Sequence, residues 1–149
     1  MVLSDLGADM MNVHAVGGKK MMAEAVKAVR EAAAKAGRPA PKLIAVTILT
    51  SMDDEQFADL NYKNTIAEQV ISLAKLAKEA GMDGVVASPR EAAGIREACG
   101  PDFLIVTPGV RPAGAFKNGS SHIVVGRPIT KAENRKAAAL AIVEEIAGV

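Results

Sequence analysis

The run HIVVGRPIT at residues 122–130 passes from β-branched residues to a Gly-Arg-Pro turn and then to the start of a helix. Gly126 would let the backbone approach a ligand closely, and the planar guanidinium of Arg127 offers a charged fork to phosphate oxygens. A second arginine, Arg111, lies in VTPGVRP at residues 106–112, just after the preceding apolar run. Because a phosphate dianion binds more strongly to two cations than to one, the two arginines predict a phosphate site. The alternative is two surface turns with solvated arginines.

The segment LTSM at residues 49–52 places two hydroxyls, on Thr50 and Ser51, just past another apolar run. Such hydroxyls can hydrogen-bond the polar edge of a ligand. They can also cap the segment DDEQ that follows, and local chemistry favours this second interpretation. Both interpretations remain open at this point.

Metal and nucleophile chemistry have little support in the sequence. His14 and His122 belong to different apolar runs and no cluster of His and Cys residues exists, so we predict no metal site. Cys99 is the only cysteine and cannot form an internal disulfide, which suits a reducing cytoplasm. A Walker A loop, a GxGxxG after a strand and a GxSxG elbow are all absent from the sequence.

Short apolar runs alternate with longer helical patterns, which indicates βαβ units and a parallel sheet. Because the runs are apolar throughout, we predict strands that are buried on both faces. The stretch PGVRPAGAFKNGSS between the last two runs lacks helical periodicity and predicts a loop or one short turn. The predicted strands cover residues 10–15, 42–49, 84–88, 103–107 and 122–126.

Apolar residues at helical spacing predict a first helix around residues 22–33 and a second over residues 65–80. A third helix is expected before the fourth strand. Glycines are common just past helix ends, and we expect Gly37, Gly81 and Gly100 to end the first, second and third helix.

Two helix starts are predicted from capping boxes, in which a hydroxyl residue and a Glu three positions later satisfy the first helical N–H groups. The third helix is predicted to begin with Ser88, Pro89 and Glu91. The last helix is predicted to begin with Thr130 and Glu133. Its packing face is expected to contain Ala139, Ile142, Val143 and Ile146.

The length of 149 residues predicts a single domain, residues 1–149, with one core. Half of the residues are hydrophobic and 3% are aromatic, which is typical of aliphatic helices on a parallel sheet. The net charge of +1 selects neither nucleic acid nor an anionic membrane, so neither is expected as a partner. No apolar run approaches the roughly 20 residues of a membrane span and no signal peptide is evident, so we expect a soluble cytoplasmic protein.

Five motifs in order, NVHAVGGKKMM, AVTILTSM, GVVAS, VTPGVRPAG and IVVGRPIT, resemble the carboxyl-terminal part of the orotidine 5′-phosphate decarboxylase family. The resemblance implies a (β/α)8 barrel that works as a homodimer, binds its nucleotide at the carboxyl ends of the strands and uses no metal or organic cofactor. It also implies that Thr50 and Ser51 contact the nucleotide and that Gly126 and Arg127 grip its 5′-phosphate. Arg111 matches the arginine of the family's TPGIRP segment.

The sequence departs from the family pattern in two places. The D-x-K-x-x-D motif that carries the family's chemistry is absent, and the loop after Gly114 lacks the family's segment with a phosphate-binding glutamine. The chain resembles strands four to eight, so we expect a partial TIM-type barrel of about five parallel strands with flanking helices, lacking the first three. Since five strands cannot close an eight-stranded barrel, we expect a homo-oligomer or a complementing amino-terminal chain.

The predicted function is that of a carboxy-lyase of pyrimidine biosynthesis, which converts orotidylate to uridylate and CO2, with the phosphate-binding half retained and the catalytic residues unknown. Asp9, Lys19 or Lys20 could have taken over the missing roles. The alternative is a non-catalytic nucleotide- or phosphate-binding module that oligomerises. A third interpretation is a related barrel enzyme that acts on sugar phosphates. For the decarboxylase and for the binding module, the expected ligand is a nucleotide 5′-phosphate such as orotidylate or uridylate.

Overall fold

The computed structural model describes residues 7–109 and 118–148. Its five strands form one parallel sheet in the order β1-β2-β3-β4-β5, so each strand pairs with its neighbours in sequence. The α/β class with five parallel strands is therefore confirmed, and every strand lies within three residues of its predicted bounds. The strands are β1 (Met10–His14), β2 (Lys42–Val46), β3 (Gly84–Val86), β4 (Leu104–Pro108) and β5 (His122–Val124).

Helices α1, α3 and α4 form one layer against the sheet, because α1 packs on α3 and α3 packs on α4. The predicted helix ends are confirmed: Gly37, Gly81 and Gly100 have φ of 62°, 81° and 84°, a region that side chains disfavour. No described helix combines the length and the apolar character that a bilayer span requires. The helices are α1 (Gly18–Lys35), α2 (Asp54–Ala58), α3 (Ile66–Glu79), α4 (Ala92–Cys99), α5 (Arg127–Thr130) and α6 (Arg135–Ala147).

The core lies between this helical layer and the middle of the sheet. The register places Ala45 of β2 opposite Val85 of β3, and Val85 opposite Ile105 of β4, so a row of buried side chains crosses three strands. The facing helices contribute apolar residues at helical spacing, as their periodicity predicts. These include Met22, Val26, Val70, Leu73, Ala74 and Ile95.

The prediction that all five strands are buried on both faces is wrong for β1 and β5. Asn12 and His14 are exposed on β1, and Val124 of β5 is 51% exposed. Both strands lie at the edges of the sheet and pair on one side only within the described residues. The central strands β2, β3 and β4 have a neighbour on each side and contain consecutive buried residues, which point to opposite faces of the sheet.

The predicted capping box at the start of the third helix is wrong. The Ser88 hydroxyl oxygen accepts a hydrogen bond from the Arg90 backbone N–H at 3.2 Å, and residues 88–91 form a turn. Helix α4 begins only after Glu91, which makes no side-chain capping hydrogen bond. The short serine side chain bonds locally and thereby competes with the helical conformation.

The predicted start of the last helix is also wrong. Thr130 ends the short helix α5, and α6 begins after Asn134, whose Oδ1 accepts a hydrogen bond from the Ala137 N–H at 3.0 Å. The predicted packing face is wrong at Val143, which is 61% exposed, and Leu140 beside it is 52% exposed. Among the described residues α6 lies mainly against α5, so its apolar side chains have little to pack on.

Candidate functional site

The loops after β2, β3 and β4 surround a cavity of about 1060 Å³ at the carboxyl edge of the sheet. Parallel strands all end at the same edge, which brings loops from distant parts of the sequence together. Residues 48–54 form one wall, residues 88–91 form another, and Pro108 and Gly109 close the cavity at the end of β4. The first turn of α3 lines the remaining side.

Thr50 and Ser51 lie on the wall of this first cavity and are exposed to it. The capping interpretation of their hydroxyls is wrong, because Asp53 caps α2: its Oδ1 accepts a hydrogen bond from the Gln56 N–H at 2.9 Å. Within the described part of the chain neither hydroxyl makes a side-chain hydrogen bond. Both are therefore free to bond a ligand in the cavity.

A second cavity of about 750 Å³ lies at the ends of β4 and β5. Gly126, Arg127 and Lys131 line it, and it shares Pro108 and Gly109 with the first cavity. The Gly109 N–H donates a hydrogen bond to the Val124 carbonyl oxygen at 3.2 Å, which holds the two strand ends side by side. The two cavities are therefore neighbours along one edge of the sheet.

Gly126 leaves open space in front of the backbone, because a Cβ built there would meet no atom within 4 Å. Its carbonyl oxygen accepts hydrogen bonds from the N–H groups of Ile129 and Thr130, each at 3.0 Å, and these fix the turn into α5. The guanidinium of Arg127 is exposed and has no hydrogen-bond or ion-pair partner among the described residues. This geometry suits the close approach of an anion that the sequence predicts.

Arg111 lies outside the described residues, as does most of the predicted loop between β4 and β5. Its contribution to the second cavity stays a prediction. The structure thus brings Thr50 and Ser51 into one cavity and Gly126 and Arg127 into the next.

The proposed replacement catalytic residues do not reach these cavities. Asp9, Lys19 and Lys20 line neither of them. The Lys19 ammonium donates a hydrogen bond to the Glu79 carboxylate at 2.8 Å and lowers the pKa of that carboxyl group. The charge of Lys19 at the start of α1 is therefore paired with a carboxylate of α3.

The buried polar residues Thr107 and Ser120 join β4 to the segment before β5, and neither stood out in the sequence. Their hydroxyl oxygens lie 3.1 Å apart in a hydrogen bond. The hydroxyl of the adjacent Ser121 accepts a hydrogen bond from the Ile105 N–H, also at 3.1 Å. These bonds hold the start of the short strand β5 against β4, and β5 leads into the turn at Gly126.

Arg96 of α4 is a structural residue that sequence reasoning missed. Its guanidinium donates five hydrogen bonds of 2.6 to 3.1 Å to the segments that precede β4 and β5. A pattern of apolar residues cannot reveal such bonds, because it does not show which carbonyl and hydroxyl groups fold back onto an arginine. The acceptors are the carbonyl oxygens of Gly100, Pro101, Phe103 and Gly119 and the hydroxyl of Ser121.

Cys99 is buried, and this burial raises the pKa of its thiol. A thiol that stays protonated is a poor nucleophile, which fits a packing role in the core.

Among residues 7–109 and 118–148, no three His, Cys, Asp or Glu side chains come together as metal ligands would.

Known proteins share both the sequence and the fold of this chain. The family model described as "Orotidine 5'-phosphate decarboxylase / HUMPS family" matches residues 1–142. The orotidine 5′-phosphate decarboxylase of Moorella thermoacetica is 54% identical over 95% of this chain and 62% of its own length. That of Trichlorobacter lovleyi is 50% identical, over 95% of this chain and 64% of its own length.

A solved structure agrees with this relationship. The crystal structure of orotidine 5′-phosphate decarboxylase from Lactobacillus acidophilus superposes with a TM-score of 0.86 at 47% identity, over 97% of this chain and 66% of that chain. The chain therefore spans just under two thirds of the length of these relatives. The family resemblance carried by the five motifs is confirmed, and the chain belongs to the orotidine 5′-phosphate decarboxylase / HUMPS family.

Proposed function

We propose that this chain provides nucleotide binding for the decarboxylation of orotidylate to uridylate. The observation that carries the proposal is the pair of adjoining cavities at one edge of the sheet, one lined by the hydroxyls of Thr50 and Ser51 and the other by the guanidinium of Arg127. A nucleoside monophosphate also has two chemically different ends, a polar ring that hydroxyls can bond and a phosphate that a guanidinium can bond. The names of the relatives support orotidylate and uridylate as the nucleotides.

In the proposed complex, Arg127 binds the 5′-phosphate through two parallel N–H donors while Gly126 lets the phosphate approach the backbone. Thr50 and Ser51 bond the polar edge of the pyrimidine across the shared wall at Pro108 and Gly109. Binding energy from the phosphate, far from the reacting carbon, can then be used in the transition state of decarboxylation.

The chemical step itself is proposed to need more than these 149 residues. The D-x-K-x-x-D motif that the family resemblance associates with catalysis is absent from the sequence, and about a third of each relative's length has no counterpart in it. We expect the chain to bind uridylate and to decarboxylate orotidylate only when a segment with that motif is supplied.

Uridylate binding tests the first part of the proposal. Calorimetric titration of the chain with uridylate is expected to give a measurable affinity, and Arg127→Ala is expected to weaken it about tenfold, the low end for hydrogen bonds to a charged group. Arg135→Ala removes the same charge at the start of α6, lines neither cavity, and serves as the matched control. The proposal fails if the chain binds neither orotidylate nor uridylate, or if Arg127→Ala binds them as the wild type does.

Decarboxylation is tested by the loss of orotidylate absorbance. The chain is assayed with and without the part of the Moorella thermoacetica relative that it does not cover. Turnover is expected in the mixture and not in either component. A mixture that binds uridylate but never turns over orotidylate would favour the non-catalytic binding module.

A further inference from the structure

A second cation, Lys131, lies just past the end of helix α5 and near Arg127. The Lys131 N–H donates a hydrogen bond to the Arg127 carbonyl oxygen at 3.0 Å, so the two residues are one helical turn apart. Residues at this spacing lie on the same face of a helix. Lys131 is exposed at the end of α5, and its side chain lines the second cavity together with Arg127.

These two positive charges are not neutralised by the protein that the structure describes. Neither the guanidinium of Arg127 nor the ammonium of Lys131 has a hydrogen-bond or ion-pair partner there. The described walls of the cavity contain no acidic side chain and consist otherwise of Pro108, Gly109, Val124, Val125, Gly126 and Pro128. Like charges one turn apart repel each other, and nothing in the described fold offsets this repulsion.

We propose that Lys131 is a second binding residue for the phosphate end of the ligand, and this inference rests on the proposed function. Arg127 supplies a planar fork that can bond two phosphate oxygens at once. Lys131 supplies a compact charge on a flexible stem, which can reach the remaining oxygen from one turn further along α5. Their two positive charges balance the two negative charges of a phosphate dianion. A bound phosphate would also offset the repulsion between the two side chains.

The same arrangement separates phosphorylated ligands from unphosphorylated ones. Uridine lacks the anion that both cations require, so Lys131 contributes to the binding of uridylate and not to that of uridine. Because the ammonium and the phosphate are both exposed, their attraction is screened by salt.

Titration calorimetry of the full chain tests the inference with three probes: uridylate, uridine and inorganic phosphate. Lys131→Gln is expected to weaken uridylate and phosphate binding about two- to fivefold, the range of an exposed ion pair, and to leave uridine binding unchanged. Lys131→Arg should retain wild-type affinity. Lys136→Gln on α6 removes the same charge outside the cavity and is expected to behave as the wild type does. The difference between wild type and Lys131→Gln should shrink at high salt.

Two results would overturn the role of Lys131: equal affinities of wild type and Lys131→Gln for uridylate, or an equal loss in Lys131→Gln and Lys136→Gln. A chain that binds inorganic phosphate in a Lys131-dependent manner but does not bind uridylate would support the cation pair and contradict the proposed nucleotide function. A chain that binds none of the three probes would contradict both.

Discussion

Arg96 and Arg127 show how the same side chain serves either packing or binding in this protein. Arg96 donates five hydrogen bonds to protein oxygens and is largely enclosed by the segments it joins. Arg127 lies on a cavity wall and donates none within the described residues. The sequence around Arg96, IREAC, does not indicate its packing role, whereas the Gly-Arg-Pro turn around Arg127 already predicts binding. The difference arises because the chain returns past Arg96 twice, before β4 and again before β5.

Replacing Arg96 is expected to cost stability. Arg96→Ala leaves its carbonyl acceptors without these donors and should lower the free energy of unfolding by about 1–3 kcal/mol, as measured by urea denaturation. Arg96→Lys should recover part of this, since an ammonium cannot reproduce the planar fork. Arg30→Ala, which removes one exposed hydrogen bond to the Gly81 carbonyl oxygen, is the control. Equal stabilities of Arg96→Ala and Arg30→Ala would contradict the structural role.

The helices differ in how their starts are fixed. A complete capping box occurs at α3, where the Thr65 hydroxyl accepts from the Glu68 N–H at 3.3 Å and the Glu68 carboxylate accepts from the Thr65 N–H at 2.9 Å. The same pattern of a hydroxyl residue and a Glu three positions later occurs at Ser88 and at Thr130, yet α4 and α6 do not begin there. The motif is necessary for the box but not sufficient, because the surrounding chain must also turn into the helix at that point.

The capping box predicts a pH dependence of stability. The backbone and hydroxyl hydrogen bonds from Thr65 lower the pKa of Glu68 below its usual 4.5. A carboxyl group with a lowered folded pKa stabilises the fold above its unfolded pKa, and this contribution is lost as the pH falls through the folded pKa. We therefore expect the stability advantage of wild type over Glu68→Gln to decline as the pH drops below about 4.5.

Thermal unfolding of both proteins across this range measures the effect, and Glu97→Gln on the exposed side of α4 controls for the loss of one negative charge. An advantage that is constant from neutral to acidic pH would contradict the role of the box.

The molecule as a whole has two open sheet edges within its described residues. β1 pairs with β2 alone and β5 with β4 alone. Each of these edge strands has some side chains that are exposed to solvent. Unpaired edges present free N–H and C=O groups that template pairing with another chain. An edge left open in this way explains why β1 and β5 are less buried than the central strands.

Self-association is therefore expected of the purified chain. Light scattering should give a mass above the 15.4 kDa of one chain at working concentration. Because charge on an edge strand opposes edge-to-edge pairing, Val124→Lys on β5 should lower the associated fraction, whereas Val143→Lys on α6 should not. A monodisperse monomer would contradict the prediction. An effect of Val143→Lys alone would locate the contact on α6.

The strands, the helices α1 and α3 and the family were all predictable from the sequence, because hydrophobic periodicity and ordered motifs are local properties of the chain. The start of α6 was not, since the Thr130 motif and the Asn134 cap compete within a few residues. Two features depend on which loops meet after folding. They are the adjoining cavities that Ser51 and Arg127 line and the hydrogen bonds of Arg96. Parallel pairing brings the strand ends to one edge, and that long-range step is what turns separate motifs into adjoining cavities.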